Sequence, residues 1–331
     1  MRISRLIAIA VQTAALAALL SAGAGRTYAA EPVSAYPSRP IRIIAPFAPG
    51  ALTDRLARII ATHMNDSWGQ PVVVENRAGA SGSVGTAALA TSTPDGYTFA
   101  VITSGHVINP NFSTLPYDPI KDFSPIIFLT GIPNLLVVHP SVPVKTVAEF
   151  VDLIHANPGK YTYATSGAGG SSHVTMELFK YVAHLDITHV PYRGGSLAIA
   201  DLVAGHILVG MSTVPTGLPF VKQDLVRAIA VSSAKRSPVM PDTPTLVESG
   251  YPDVSSVEWW GVLAPAGTPL DIRQKLNTEI ARIMSLPDVK ELLAKEGVAF
   301  EGGSIDDFDK FVRSEADRWS RVIKAANIKV E

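Results

Sequence analysis

Ile41-Arg42-Ile43-Ile44-Ala45-Pro46-Phe47-Ala48-Pro49-Gly50-Ala51-Leu52-Thr53-Asp54 is the stretch that decides the fold. Its first five residues are a short apolar, β-branched run, the pattern of a buried strand. From Thr53 to Met64 the apolar residues Leu56, Ile59, Ile60 and Met64 recur at helical spacing, so a helix follows within a few residues. Between the two, Pro46 and Pro49 stiffen a turn, Gly50 lets backbone approach a ligand closely, and Thr53 or Asp54 can cap the helix. The N-terminus of a helix carries roughly half a positive charge and unpaired amides, so a turn of this kind can hold an anion.

The alternation continues on the C-terminal side. The pattern predicts a strand over 72–75, a helix over 84–90, a turn at Pro94-Asp95-Gly96 and a strand over 97–102. That β-α-β-α-β order implies a mostly parallel sheet. It then begins again, with a strand over 135–138, a helix over 147–155 opened by Thr146, a strand over 161–164 and a helix over 172–182. Strands over 226–231 and 261–264 follow, then helices over 269–284, 287–295 and 304–325. There is no fixed-period repeat and no low-complexity linker. The expected fold is α/β, two lobes joined by crossing strands around a central cleft, with lobe one from residues 31–133 and 258–331 and lobe two from 134–257.

A second strand-to-helix turn has the chemistry of the first. In Ala164-Thr165-Ser166-Gly167-Ala168-Gly169-Gly170-Ser171-Ser172-His173 a strand opens through glycines into a helix with hydroxyls at its start. One such turn per lobe implies an anion held between them, although each taken alone is also what an ordinary capped helix looks like.

Composition narrows the partners. The 331 residues are 47% apolar and 17% charged with a net charge of -1, so the chain can bury a large core but lacks the basic surface that nucleic acid requires. Cysteine is absent, which removes disulfides, thiolate metal sites and a thiol nucleophile. Arg2 and Arg5 precede an apolar stretch over 6–20 and small residues through Ala30, the order of a secretory signal peptide over 1–29. A periplasmic location is expected, and no later segment reads as a membrane span.

The segments in combination resemble a known family. They are Tyr36-Pro37-Ser38-Arg39-Pro40, Pro46-Phe47-Ala48-Pro49-Gly50 with Thr53-Asp54, Gly69-Gln70-Pro71-Val72-Val73-Val74-Glu75-Asn76-Arg77, and Pro94-Asp95-Gly96-Tyr97. Further on stand Leu115-Pro116-Tyr117-Asp118, His189-Val190-Pro191-Tyr192-Arg193-Gly194 and Ala264-Pro265-Ala266-Gly267-Thr268-Pro269. Together they resemble the receptors of tripartite tricarboxylate transporters, the Bug family, over nearly the whole mature chain. The resemblance implies a type II-like periplasmic-binding-protein fold that closes on a small mono- or dicarboxylate and passes it to the membrane components of a transporter. It implies a monomer with no cofactor, no metal and no catalytic residues. The ligand-binding candidates it carries over are Phe47, Gly50, Thr53, Asp54, Ser104, Gly169, Ser171 and His173. Two further positions depart from the family pattern, Ala51 in place of a second glycine and Gly170 in place of Thr or Ser.

Several residues admit two readings. Asp54 beside an anion would repel it, so a helix cap competes with ligand contact, and His173 can be a packed histidine as well as a contact. Phe47 can be core, Trp259 and Trp260 can line the cleft or pack, and Arg193 and Arg77 can pair with a carboxylate ligand or within the protein. The rival class is a secreted hydrolase built on Ser171, Ser172, His173 and Asp54. No Gly-x-Ser-x-Gly elbow occurs, and adjacent Ser and His at one helix start cannot readily align with a third carboxylate. Gly167-Ala168-Gly169 also starts a dinucleotide fingerprint, but Ser172 stands where its third glycine belongs.

Overall fold

The computed structural model describes residues 32–192 and 194–329. The expected signal peptide and Arg193 lie outside the described residues. The chain divides into two compact units, Met1–Tyr36 and Pro37–Glu331. Of the first, the described part is a turn in which the Ala35 amide donates to the Pro32 carbonyl at 2.8 Å. The second carries the whole α/β architecture.

In chain order its elements are β1 (Ile41–Ala45), α1 (Leu52–Trp68), β2 (Val72–Asn76), α2 (Ser83–Ala90), β3 (Thr98–Thr103), α3 (Gly105–Ile108) and β4 (Phe123–Val138). Then come α4 (Val147–His155), β5 (Thr162–Thr165), α5 (Ser171–Ala183), β6 (Thr188–Pro191), α6 (Gly195–Val203), β7 (Val209–Thr213), α7 (Val214–Val221) and β8 (Arg227–Val231). The chain closes with β9 (Val257–Pro265), α8 (Leu270–Met284), α9 (Pro287–Ala294) and α10 (Ile305–Ala325). The strands run β2-β1-β3-β9-β4-β7-β5-β6 across one curled sheet, with β8 also on β4.

The sequence explains the local choices. Ile41, Ile43 and Ile44 are fully buried in β1, which pairs parallel with both β2 and β3. Leu56, Ile60 and Met64 bury one face of α1, which ends where Gly69 turns left-handed at φ +65° and donates to the Asn65 carbonyl. Thr146 and Glu149 form a capping box at the start of α4, and Ser304 and Asp307 form another at α10.

Two strands join the halves of the sheet. β9 runs antiparallel between β3 and β4, and β4 pairs with it from Phe123↔Pro265 to Pro133↔Val257. At the next residue β4 changes partner, Asn134 facing Thr213 on β7 while Leu135 faces Val231 on β8. Helix α10 covers one face of the crossing, its Phe308 edge-on to the buried Trp259. Gly261 makes that possible, because a Cβ there would lie 2.1 Å from the Phe308 ring.

The expected elements are present with ends shifted by a few residues, but two strands are much longer than the pattern suggested. The strand expected over 135–138 begins at Phe123, and the one expected over 261–264 begins at Val257. Pro125, Gly131 and Pro133 read as breakers in β4. It tolerates them because its register shifts after Pro125, while Pro133 is its last residue paired with β9. Between 188 and 221 the sequence reading found no elements, whereas the structure has β6, α6, β7 and α7. In α7 Pro215 falls in the first turn, where no intrahelical amide is needed, and Pro219 sits inside a helix of 8 residues.

Candidate functional site

Each of the two turns is built the same way. After β1 the chain turns through Gly50, at φ +85°, into α1, and after β5 it turns through Gly169, at φ +75°, into α5. The Gly50 amide donates to Asp54 Oδ2 at 2.9 Å, and the Gly169 amide donates to His173 Nδ1 at 3.2 Å. Both glycine amides are thus taken by the side chain four residues on. The outward donors are the first-turn amides, since the first bonds into each helix start are Arg55 to the Ala51 carbonyl and Val174 to the Gly170 carbonyl. Those donors are Leu52, Thr53 and Asp54 at α1, and Ser171, Ser172 and His173 at α5.

Asp54 is held by the turn, by its own helix and by β2. Arg58 pairs with it at 3.0 Å, and Asn76 Nδ2 donates to Oδ1 at 2.9 Å. Burial would raise its pKa, but the hydrogen bonds from Arg58, Gly50 and Asn76 outweigh that and hold the carboxyl below its ordinary value. Asp54 is a structural carboxylate that closes the turn, and the N-cap itself is Ala51. Phe47 is half-buried, stacked over Gly82, and it lines a cavity of about 10 Å³ with Thr103, His106 and Tyr117, room for no more than about one water.

Thr53 and Ser171 are tied to the crossing strands. Trp260 Nε1 on β9 donates to Thr53 Oγ1 at 3.0 Å, with both residues buried. Asn134 Nδ2 on β4 donates to Ser171 Oγ at 3.0 Å and to Thr175 Oγ1 at 3.1 Å, and Thr175 continues to Ser256 just before β9. Ser104, at the end of β3, donates its amide to the Trp259 carbonyl at 3.0 Å, and its buried hydroxyl has no hydrogen-bond partner among the described residues. The buried Thr130 Oγ1 and Asn134 Oδ1 are likewise unpartnered among the described residues. No hydrogen bond among the described residues joins one turn directly to the other; the two strands connect them.

His173 has the partner that the sequence did not name. Its ring stacks on His189 at 4.1 Å between centroids, and His189 Nε2 meets Thr165 Oγ1 at 2.7 Å. Burial holds His173 down at about 4, outweighing the opposing pull of Glu177, with a smaller lowering from the Lys180 charge. Burial, with smaller contributions from His173 and Lys180, holds His189 at about 3. Both are neutral at pH 7, which suits His173 Nδ1 to accept a hydrogen bond from an amide.

These contacts give the residues of the hydrolase reading other partners. His173 is bonded to Gly169, Ser171 to Asn134 and Ser172 to Ser166, so among the described residues no serine is bonded to His173. Trp259 packs, Trp260 both packs and anchors, and Arg77 pairs with Glu75 at 2.6 Å. Sequence reasoning missed Asn134 and Glu258. The signal was a polar residue within each apolar run, Ile132-Pro133-Asn134-Leu135 and Val257-Glu258-Trp259.

Comparison with known proteins gives concordant results. Residues 56–328 match the model of the tripartite tricarboxylate transporter family receptor. Protein BugT of Bordetella pertussis is 34% identical over 307 residues, covering 91% of this chain and 94% of BugT. Among solved structures, Rpa4515 of R. palustris with adipate is 35% identical with a TM-score of 0.80, covering 89% of this chain and 99% of that one. MatC from Rhodopseudomonas palustris with bound malate is 32% identical with a TM-score of 0.77, covering 87% and 100%. The fold is that of periplasmic binding proteins, and among the described residues no helix is long and apolar enough to cross a membrane.

Proposed function

Since the chain belongs to the tripartite tricarboxylate transporter receptor family, a family of periplasmic receptors and not of enzymes, we propose that it closes two lobes on a small mono- or dicarboxylate and delivers it to such a transporter's membrane components. In this reading the lobes are residues 31–133 with 258–331, and 134–257, and the segment over 1–29 is the leader that exports a monomer. The ligand lies between the two helix starts. The observation that carries the reading is the pair of ties, Trp260 to Thr53 and Asn134 to Ser171, which anchor both helix starts to the strands that cross between the halves. First-turn amides of α1 and α5 then meet the carboxylate oxygens, with Ser104, Thr53 and Ser171 hydroxyls beside them. Adipate and malate, bound in the two solved relatives, are the natural first probes.

A thermal-shift comparison of each acid with its dimethyl ester tests the reading. At about 100 times the dissociation constant a ligand adds roughly 2.7 kcal/mol, and about 2–4 °C per kcal/mol makes that a rise of several degrees. The ester keeps the carbon skeleton and loses the charge that helix termini favour, so it should stabilise little. Equal stabilisation by acid and ester would remove the anion-binding turns from the account, and no stabilisation by any carboxylate would remove the ligand class.

A further inference from the structure

Glu258 lies on β9 between the two tied helix starts. It precedes Trp260 by two residues, so the two side chains leave the strand on the same face, and Trp260 reaches Thr53 at the start of α1. Its ladder partner is Ile132, two residues before Asn134, which holds Ser171 at the start of α5. At about 3.3 Å per residue, each tie is roughly 7 Å along its strand from the Glu258–Ile132 pair. Midway between two helix termini that favour anions, the chain therefore carries a carboxyl group of its own.

Among the described residues no hydrogen bond or ion pair reaches that carboxyl group. Glu258 is set deep in the protein yet keeps part of its surface accessible, as a residue lining a crevice does. Burial alone pushes it from 4.5 up to about 7. The charged groups on the two helices are committed elsewhere, Arg58 to Asp54 and Lys180 to Glu177, while His173 and His189 are neutral near pH 7. None of them contributes to the shift of Glu258. An ionised Glu258 and a bound carboxylate would repel each other where water is scarce, whereas an acid O–H donating to a carboxylate forms one of the short, strong hydrogen bonds.

We propose that Glu258 contacts the ligand as a neutral acid, donating its O–H to a carboxylate oxygen, so that capture takes up one proton from solvent. The proposal rests on the receptor reading and deepens it by naming a recognition group and a proton count.

Calorimetry of adipate and malate binding to the full chain tests it, in buffers of different ionisation enthalpy from about pH 6.5 to 9, where the probes' own carboxylates are ionised. Proton uptake should rise toward one per ligand with increasing pH, and affinity should fall by up to about tenfold per pH unit. Glu258→Gln, which offers an N–H in place of the O–H, should bind with a flat pH profile and no proton uptake. Wild-type binding without uptake overturns the proposal, and so does a Glu258→Gln protein that keeps the wild-type pH slope; either leaves the receptor reading intact. Affinity that rises with pH also overturns it, because it means that an ionised Glu258 meets a cationic group. Should Glu258→Gln fail to fold, the wild-type uptake still decides. Failure of every carboxylate to bind at any pH overturns the receptor reading itself, and this proposal with it.

Discussion

The Gly169 amide donates to His173 Nδ1 as the Gly50 amide donates to Asp54 Oδ2, a glycine at positive φ bonded four residues on in both turns. One acceptor is a neutral imidazole and the other a carboxylate, but the mechanical effect is the same. The turn is latched to its helix, and the amides left pointing outward belong to the helix and not to the glycines.

If the latch at the first turn is structural, Asp54→Ala should cost about 1–3 kcal/mol, because Gly50, Arg58 and Asn76 lose a common acceptor that is itself buried. Asp54→Asn keeps an acceptor oxygen and should cost less. Denaturant midpoints of the three proteins measure the difference, and a loss of only a few tenths for Asp54→Ala would show that the network adds nothing to stability.

Acid should destabilise the fold through its histidines. Burial first holds His106, His173 and His189 at about 4, 4 and 3, against 6.5 for a free side chain. On acidification the unfolded chain takes up these protons near 6.5, while the folded chain does not until 4 or below. Their contribution is therefore complete above 6.5 and is lost as pH falls toward 4. Glu258 acts oppositely: raised from 4.5 to about 7, its contribution is present below 4.5 and is lost as pH rises through 7. With three imidazoles against one carboxyl, stability should climb between about pH 4.5 and 6.5, and more steeply in Glu258→Gln. Urea denaturation of both proteins across that range checks the sign, and a flat profile in the variant would mean that the imidazoles are not held neutral.

Gly261→Ala should damage the crossing more than an exposed glycine would. The added Cβ would lie 2.1 Å from Phe308, whose ring is packed against Trp259 and Phe128. Overpacking of this kind costs about 1–3 kcal/mol or more, and Phe308→Leu in the same chain should recover part of it. A thermal midpoint unchanged by Gly261→Ala would mean that helix α10 is free to move off the sheet.

The α/β class and both turns were legible because parallel strands and amphipathic helices write their periods into the sequence, as Ile41–Ala45 and Leu56, Ile60 and Met64 do. The crossing strands were not. Phe123–Val138 carries two prolines and a glycine, which local rules read as breaks, and only pairing with β9 on one stretch and β7 on the next makes it one strand. The same limit applies to the site. The motifs pointed to free backbone amides at the two turns as the anion donors, but the capture of the glycine amides by Asp54 and His173 depends on side-chain direction within the first helical turn. The approach of Trp260 to Thr53 spans 207 residues, beyond any pattern of spacing.

That long-range tie yields the sharpest test of how the first turn works. The Thr53 hydroxyl accepts from Trp260 Nε1 at 3.0 Å, which uses its acceptor side and leaves its one O–H to donate elsewhere. Thr53→Val keeps the shape but removes both functions, leaving a buried indole N–H unpaired at a cost of about 1–3 kcal/mol. Thr53→Ser keeps both functions and loses a methyl. Under the proposed function the valine protein should lose carboxylate affinity beyond its loss of stability, because the start of α1 is no longer held against β9 and one donor to the ligand is gone. The serine protein should bind within a few-fold of wild type. Melting temperature, indole fluorescence and adipate or malate titration on the three proteins separate the two effects. If Thr53→Val melts lower but binds as tightly as Thr53→Ser, the bond to Trp260 serves the fold alone and the first turn holds its ligand without the Thr53 hydroxyl.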